Sequence, residues 1–165
     1  MDPADAAPQP ADIAIIPNES LKFNLDVKPK TAVVQLKLQH PGPLDAAVMA
    51  YKIKTTAPKR YLVRPNQGMI PPGKSVQVDI ILVDRDHIVL RDDPAQREAG
   101  EAGDKFLVQT TPAVSDGNPV MDPESLTPEE SQQMVLAIWA GADKRAVAGR
   151  RLKVRFQRGG GGGGG

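Results

Sequence analysis

Apolar and polar residues alternate with a period of two along most of the chain. Val34, Leu36 and Leu38 are interleaved with Gln35, Lys37 and Gln39, and Met49, Tyr51 and Ile53 with Ala50, Lys52 and Lys54. Val76, Val78, Ile80 and Leu82 are interleaved with Gln77, Asp79 and Ile81, and Phe106, Val108 and Thr110 with Lys105, Leu107 and Gln109. Leu152, Val154 and Phe156 close the series among Arg151, Lys153 and Arg155. Successive side chains of a strand point to opposite faces, so each run predicts a strand with one buried face. Shorter runs at 13–16, 21–25 and 61–64 predict further strands. Pro41-Gly42-Pro43, Asn66-Gln67-Gly68 and Pro71-Pro72-Gly73 predict the turns between them. About seven short strands with this punctuation predict an antiparallel β-sandwich.

Two stretches break the alternation. Residues 84–104 are charged and carry Gly100 and Gly103, which predicts a long surface loop. Residues 127–139 predict a helix: Thr127 can cap it, Pro128 suits its first position and Glu130 lies three residues after the cap. Met134, Val135, Ile138 and Trp139 would then pack on the sandwich. At the ends, residues 1–11 are rich in Ala, Pro and Asp and predict a disordered lead-in. Residues 158–165, with Gly159 to Gly165 in one run, predict a Gly-rich linker or tail. The folded domain is expected over 12–157.

Composition removes several function classes. The 165 residues carry a formal net charge of +1, so no global field points to nucleic acid, and six aromatics supply little base-stacking surface. Without cysteine there is no thiol nucleophile and no cysteine-based zinc site. His40 and His87 have no ligand partner at metal-site spacing and read as two surface histidines. The acidic clusters Asp84-Arg85-Asp86 and Arg91-Asp92-Asp93 are interleaved with arginine and read as solvated loop rather than a calcium site. No nucleophile elbow, phosphate loop or dinucleotide motif occurs, so no enzyme, cofactor or metal is expected. No apolar run is long enough to span a membrane, and no secretory leader is visible.

The outward positions are unusual for a near-neutral chain. If Phe106 and Val108 face inward, Lys105 and Leu107 face outward; likewise Lys52 and Lys54 lead into Thr55-Thr56, and Arg151, Lys153 and Arg155 share one face. Were these strands neighbours, they would form a positive strip with hydroxyls and an apolar spot. Such a strip suits an extended acidic peptide with a large apolar anchor. A solvated lysine-rich face that discourages edge pairing accounts equally well for the pattern.

The segment Lys54-Thr55-Thr56-Ala57-Pro58-Lys59-Arg60-Tyr61-Leu62-Val63-Arg64-Pro65-Asn66-Gln67-Gly68 resembles the signature of major sperm protein (MSP) domains, nearest to the VAMP-associated proteins (VAPs) of the endoplasmic reticulum. Leu36 to Pro41, Met69 to Val78, Lys105-Phe106-Leu107-Val108-Gln109, Trp139 and the strand from Arg151 to Phe156 continue the resemblance in order. It implies a seven-stranded immunoglobulin-like β-sandwich, with one or two short helices here, and a non-enzymatic adaptor. VAP-type domains bind the FFAT motif, two phenylalanines in an acidic tract, carried by lipid-transfer and tethering proteins, and so recruit them to the endoplasmic reticulum and its membrane contact sites.

Carried over by position, the resemblance implies peptide contacts at Lys52, Lys54, Thr55, Thr56, Asn66, Lys105, Leu107 and Arg151, and a structural proline at Pro65. Leu107 stands where the family has methionine, and Arg151 where it has lysine. The 84–104 segment differs from the family's, and 112–133 is longer. The resemblance further implies a place on the cytosolic face of the endoplasmic reticulum if a tail anchor follows, or in the cytoplasm otherwise, and a homodimer formed through regions outside this sequence. The alternative within the family is a self-assembling structural protein like the sperm MSPs, which sedimentation over a concentration range separates from an adaptor.

Overall fold

The computed structural model describes residues 10–28 and 32–158. The lead-in expected over residues 1–9 and the glycine tail at 159–165 lie outside the described residues. Among the described residues, eleven strand segments run in chain order as β1 (Ala14–Ile16), β2 (Ser20–Asn24), β3 (Val33–Gln39), β4 (Met49–Thr55), β5 (Tyr61–Arg64), β6 (Gln67–Ile70), β7 (Ser75–Leu82), β8 (Lys105–Pro112), β9 (Val114–Ser115), β10 (Asn118–Pro119) and β11 (Ala148–Gln157). Three α-helices accompany them: α1 (Asp84–Asp92), α2 (Pro94–Gly103) and α3 (Pro128–Ala140).

The strands form an immunoglobulin-like sandwich of two sheets, β1-β3-β7-β5 and β2-β11-β8-β4-β6, with β9 and β10 as a small separate hairpin. The inward positions of the alternating runs meet between the sheets. Leu36, Leu38, Val78 and Ile80 from one layer pack with Phe23, Phe106, Val108, Leu152 and Val154 from the other. Tyr61 sits among them, its ring centroid 5.4 Å from that of Phe23 and 4.9 Å from that of Phe106. Each such side chain contributes about 1.5–3 kcal/mol by leaving water, which is what fixes the register of every strand.

Two features of the sheets depart from the expected pattern. The pair β2–β11 is parallel, with Leu21 beside Val154 and Phe23 beside Phe156, while the other pairs are antiparallel. The segment Asn66-Gln67-Gly68, expected as a turn, contributes its last two residues to edge strand β6, where Gln67 pairs with Lys52 and Gly68 with Tyr51.

The stretch 84–104 is not a loop but the helices α1 and α2. Its charges hid a short buried stripe: His87 and Leu90, three residues apart, are the buried positions of α1. Asp93 caps α2, its carboxylate accepting from the Ala95 and Gln96 amides at 3.0 and 3.4 Å, with Pro94 in the first helical turn. Gly100 is there for close approach: a Cβ would lie 2.9 Å from Phe156 Cε2 and 3.1 Å from Arg60 Nη1.

Both histidines are buried rather than superficial. His40 Nε2 donates to the Ala47 carbonyl at 2.8 Å, and its Nδ1 accepts from the Gly42 amide at 3.0 Å, so the ring ties the turn after β3 to the chain before β4. His87 Nε2 donates to the Leu25 carbonyl at 2.8 Å and fastens α1 to the end of β2.

Helix α3 forms as its sequence predicts. Thr127 Oγ1 accepts from the Glu130 amide at 3.1 Å and Glu130 Oε1 accepts from the Thr127 amide at 2.9 Å. The helix lies on the outer face of the five-stranded sheet, where Ile138 packs with Val48, Ala50 and Ala113 and is flanked by Met134 and Trp139. It covers the half of that face nearest β6 and the hairpin; the other half is open.

Candidate functional site

The open half is the positive strip. Lys54 of β4 stands opposite Leu107 of β8, and Leu107 opposite Arg151 of β11, so three strands place a cation, an apolar side chain and a cation in one row. The row beside it holds Lys105, Lys153 and Ser20; the next holds Arg155 and Lys22. Lys54, Thr55, Thr56, Lys105, Leu107 and Arg151 all line one groove of about 940 Å³. Asn18, Glu19 and Ser20 border it on the β2 side.

Among the described residues no ion pair engages Lys54, Lys105, Arg151 or Lys153. Lys105 and Lys153 are direct cross-strand partners, an arrangement that costs free energy through like-charge repulsion. The face therefore presents an excess of cations around a central leucine, with Glu19 the one acid among the described residues of the groove border, on a chain of near-neutral net charge.

The groove floor is regular sheet and its mouth is held by hydrogen bonds. Thr56 Oγ1 donates to the Gly103 carbonyl at 3.1 Å and accepts from the Lys105 amide at 2.9 Å. Lys105 Nζ donates to the Ala102 carbonyl at 2.9 Å. Thr55 Oγ1 accepts from the Ala57 amide at 3.1 Å, which turns the chain out of β4. Behind Lys105, Asp104 Oδ2 accepts from Tyr61 Oη at 2.6 Å and from Arg60 Nη1 at 2.8 Å. Burial, and then the bond to Asp104, hold the Tyr61 phenol far above its ordinary pKa.

Two residues implied by the resemblance fall outside the groove lining. Lys52 is one row away, with Nζ 6.0 Å from the centroid of the Trp139 ring on α3. Asn66 is exposed in the turn before β6, and its carbonyl accepts from the Ile53 amide at 2.8 Å. The Arg64–Pro65 bond in the same turn is cis.

The sequence reading missed the contribution of α2 to the mouth and of residues 18–20 to the β2 side. It also passed over Gly149, whose missing side chain leaves room for Leu107. The Asp93-Pro94 pair was a readable signal for α2. Nothing local marked residues 18–20, because their place depends on the parallel pairing of β2 with β11. Among the described residues no cluster of His, Cys, Asp or Glu could hold a metal ion, and no helix is long and apolar enough to cross a membrane.

The vesicle-associated membrane protein-associated protein scs22 of Schizosaccharomyces pombe is 32% identical over 134 residues, which cover 80% of this chain and 35% of that protein. Human vesicle-associated membrane protein-associated protein A is 40% identical over 98 residues, covering 59% of this chain and 34% of that protein. The chain thus spans about a third of the length of these relatives. Among solved structures, SSP-19, an MSP-domain protein like family member in Caenorhabditis elegans, superposes with a TM-score of 0.49 at 16% identity, over 82% of this chain and 94% of that one. The family model described as MSP (Major sperm protein) domain matches residues 12–131, and the chain belongs to that family.

Proposed function

We propose that this domain is a non-enzymatic adaptor that holds FFAT-like peptides, an acidic tract with an aromatic anchor, and recruits the proteins that carry them. The observation that supports it most directly is the row Lys54–Leu107–Arg151, in register across three strands and open to solvent. Two cations flank one apolar side chain, so a peptide lying along the row meets charge, a greasy contact and charge in turn. The aromatic anchor on Leu107 gives most of the affinity, because a desolvated aromatic contact outweighs exposed ion pairs. The cations raise the encounter rate and set the preference for acids. Partners of this kind include lipid-transfer and tethering proteins. The VAP relatives support a place for the adaptor on the cytosolic face of the endoplasmic reticulum, at membrane contact sites.

Calorimetric titration of an acidic Phe-Phe peptide into the wild type and into Lys105→Asp/Leu107→Asp tests the proposal. The wild type is expected to bind and the double variant to lose binding by at least about tenfold. Equal affinities would remove this groove as the binding site.

A further inference from the structure

The groove's mouth is shaped by a helix that the signature does not contain. The last turn of α2 reaches two groove residues at once: the Ala102 carbonyl accepts a hydrogen bond from Lys105 Nζ at 2.9 Å, and the Gly103 carbonyl accepts one from Thr56 Oγ1 at 3.1 Å. These carbonyls close the helix, where the peptide dipoles leave partial negative charge that favours an ammonium. The same turn is anchored to β11 one residue earlier. Pairing of β8 with β11 ends at Lys105–Lys153, so the Phe156 amide has no partner in β8. Glu101 supplies one: the Phe156 N–H donates to Glu101 Oε2 at 2.6 Å. Gly100 lets the helix come close enough for that bond.

We infer that Glu101 is a positioning residue for peptide binding: by capping the free edge of β11 it seats the α2 turn that holds the Lys105 ammonium at the groove mouth. The inference rests on the peptide-binding reading above. Lys105 faces Lys153 across the strands and is pushed away from it. A free lysine would spread over many rotamers; here one of its three donors is spent on Ala102 and two remain for a carboxylate. Holding the cation in place before the peptide arrives removes an ordering cost from binding.

The sign of the effect makes the inference testable. Glu101 is an acid beside a basic groove, so removing its charge should by electrostatics alone strengthen binding of an acidic peptide. Loss of positioning acts in the opposite direction. Calorimetric titration of the acidic Phe-Phe peptide is expected to show Glu101→Ala weaker than wild type by about threefold to tenfold. Glu101→Gln, which keeps an acceptor for the Phe156 amide, is expected to bind at least as tightly as wild type. In a Lys105→Met background, Glu101→Ala should no longer weaken binding, leaving only the electrostatic gain. Gly100→Ala, which crowds Phe156 and shifts the same turn, is a second variant with the same expected loss and the same erasure by Lys105→Met.

Wild-type protein that does not bind the peptide overturns the peptide-binding reading and this inference with it. Wild-type binding with Glu101→Ala equal or tighter overturns this inference alone. So does a loss that persists undiminished in the Lys105→Met background, which would mark a general disturbance of the fold.

Discussion

Gly149 of β11 leaves the space that Leu107 of β8 leans into: a Cβ on Gly149 would stand 3.2 Å from Leu107 Cδ1. The only apolar side chain in the central row of the groove thus depends on an absent side chain in the neighbouring strand. Gly149→Ala should tilt Leu107 out of its position while leaving every charge untouched. Affinity for the acidic Phe-Phe peptide is expected to fall about threefold to tenfold, and affinity for an acidic peptide without aromatics to stay unchanged. Titration with both peptides checks this; an equal loss for both would show that the substitution disturbs more than the leucine.

Lys52 and Lys54 lie on the same face of β4, but only Lys54 lines the groove, while Lys52 reaches toward Trp139. Lys54→Met is therefore expected to weaken peptide binding severalfold and to flatten its dependence on salt, since one cation leaves the groove. Lys52→Met is expected to change affinity by less than Lys54→Met. Titrations at two ionic strengths compare them, and a larger effect at Lys52 would mean that the peptide runs toward α3.

Alkaline stability should report on the two buried tyrosines. Burial pushes the Tyr51 phenol up from 10.0 to about 12, and burial with the Asp104 bond pushes Tyr61 further. Both folded-state values lie above the unfolded one, so the unfolded chain releases these protons first as pH rises. The stability involved is fully present below about pH 10 and is lost from there upward, through about pH 12 for Tyr51. Denaturant midpoints measured across that window should fall. Tyrosinate absorbance should rise together with loss of sheet signal, not before it.

The capping box of α3 gives a local test of fold stability. Thr127→Ala leaves the Glu130 amide without its side-chain acceptor and is expected to cost about 1 kcal/mol. A lower thermal midpoint with unchanged peptide affinity is the expected pair of results. The helix covers the other half of the sheet, so a change in affinity would show that α3 and the groove are coupled.

The elements that were legible in the sequence are those whose signal is local. Alternation around Leu36, Ile80, Phe106 and Val154 identified strands and their inward faces, and Thr127-Pro128 with Glu130 identified α3. The outward faces of Lys54, Lys105, Leu107 and Arg151 followed from the same rule. Their adjacency did not, because it depends on which strands pair, and pairing is set by the whole core. The helices α1 and α2 were lost to their charge, with only His87 and Leu90 buried on α1. The histidines were misjudged because their burial depends on the carbonyls of Ala47 and Leu25, seven and sixty-two residues away in the chain.

The pairing of β2 with β11 also governs when the domain can be finished. Residues 20–24 wait for residues 153–157, so a ribosome must release nearly the entire described chain before the five-stranded sheet closes. A nascent fragment ending at residue 131, where the family match stops, would carry Lys54, Leu107 and α2 but neither Arg151 nor the Phe156 amide that Glu101 caps. On the peptide-binding reading proposed above, capture thereby waits for synthesis to pass β11, because a chain terminated earlier lacks Arg151 and with it one cation of the row.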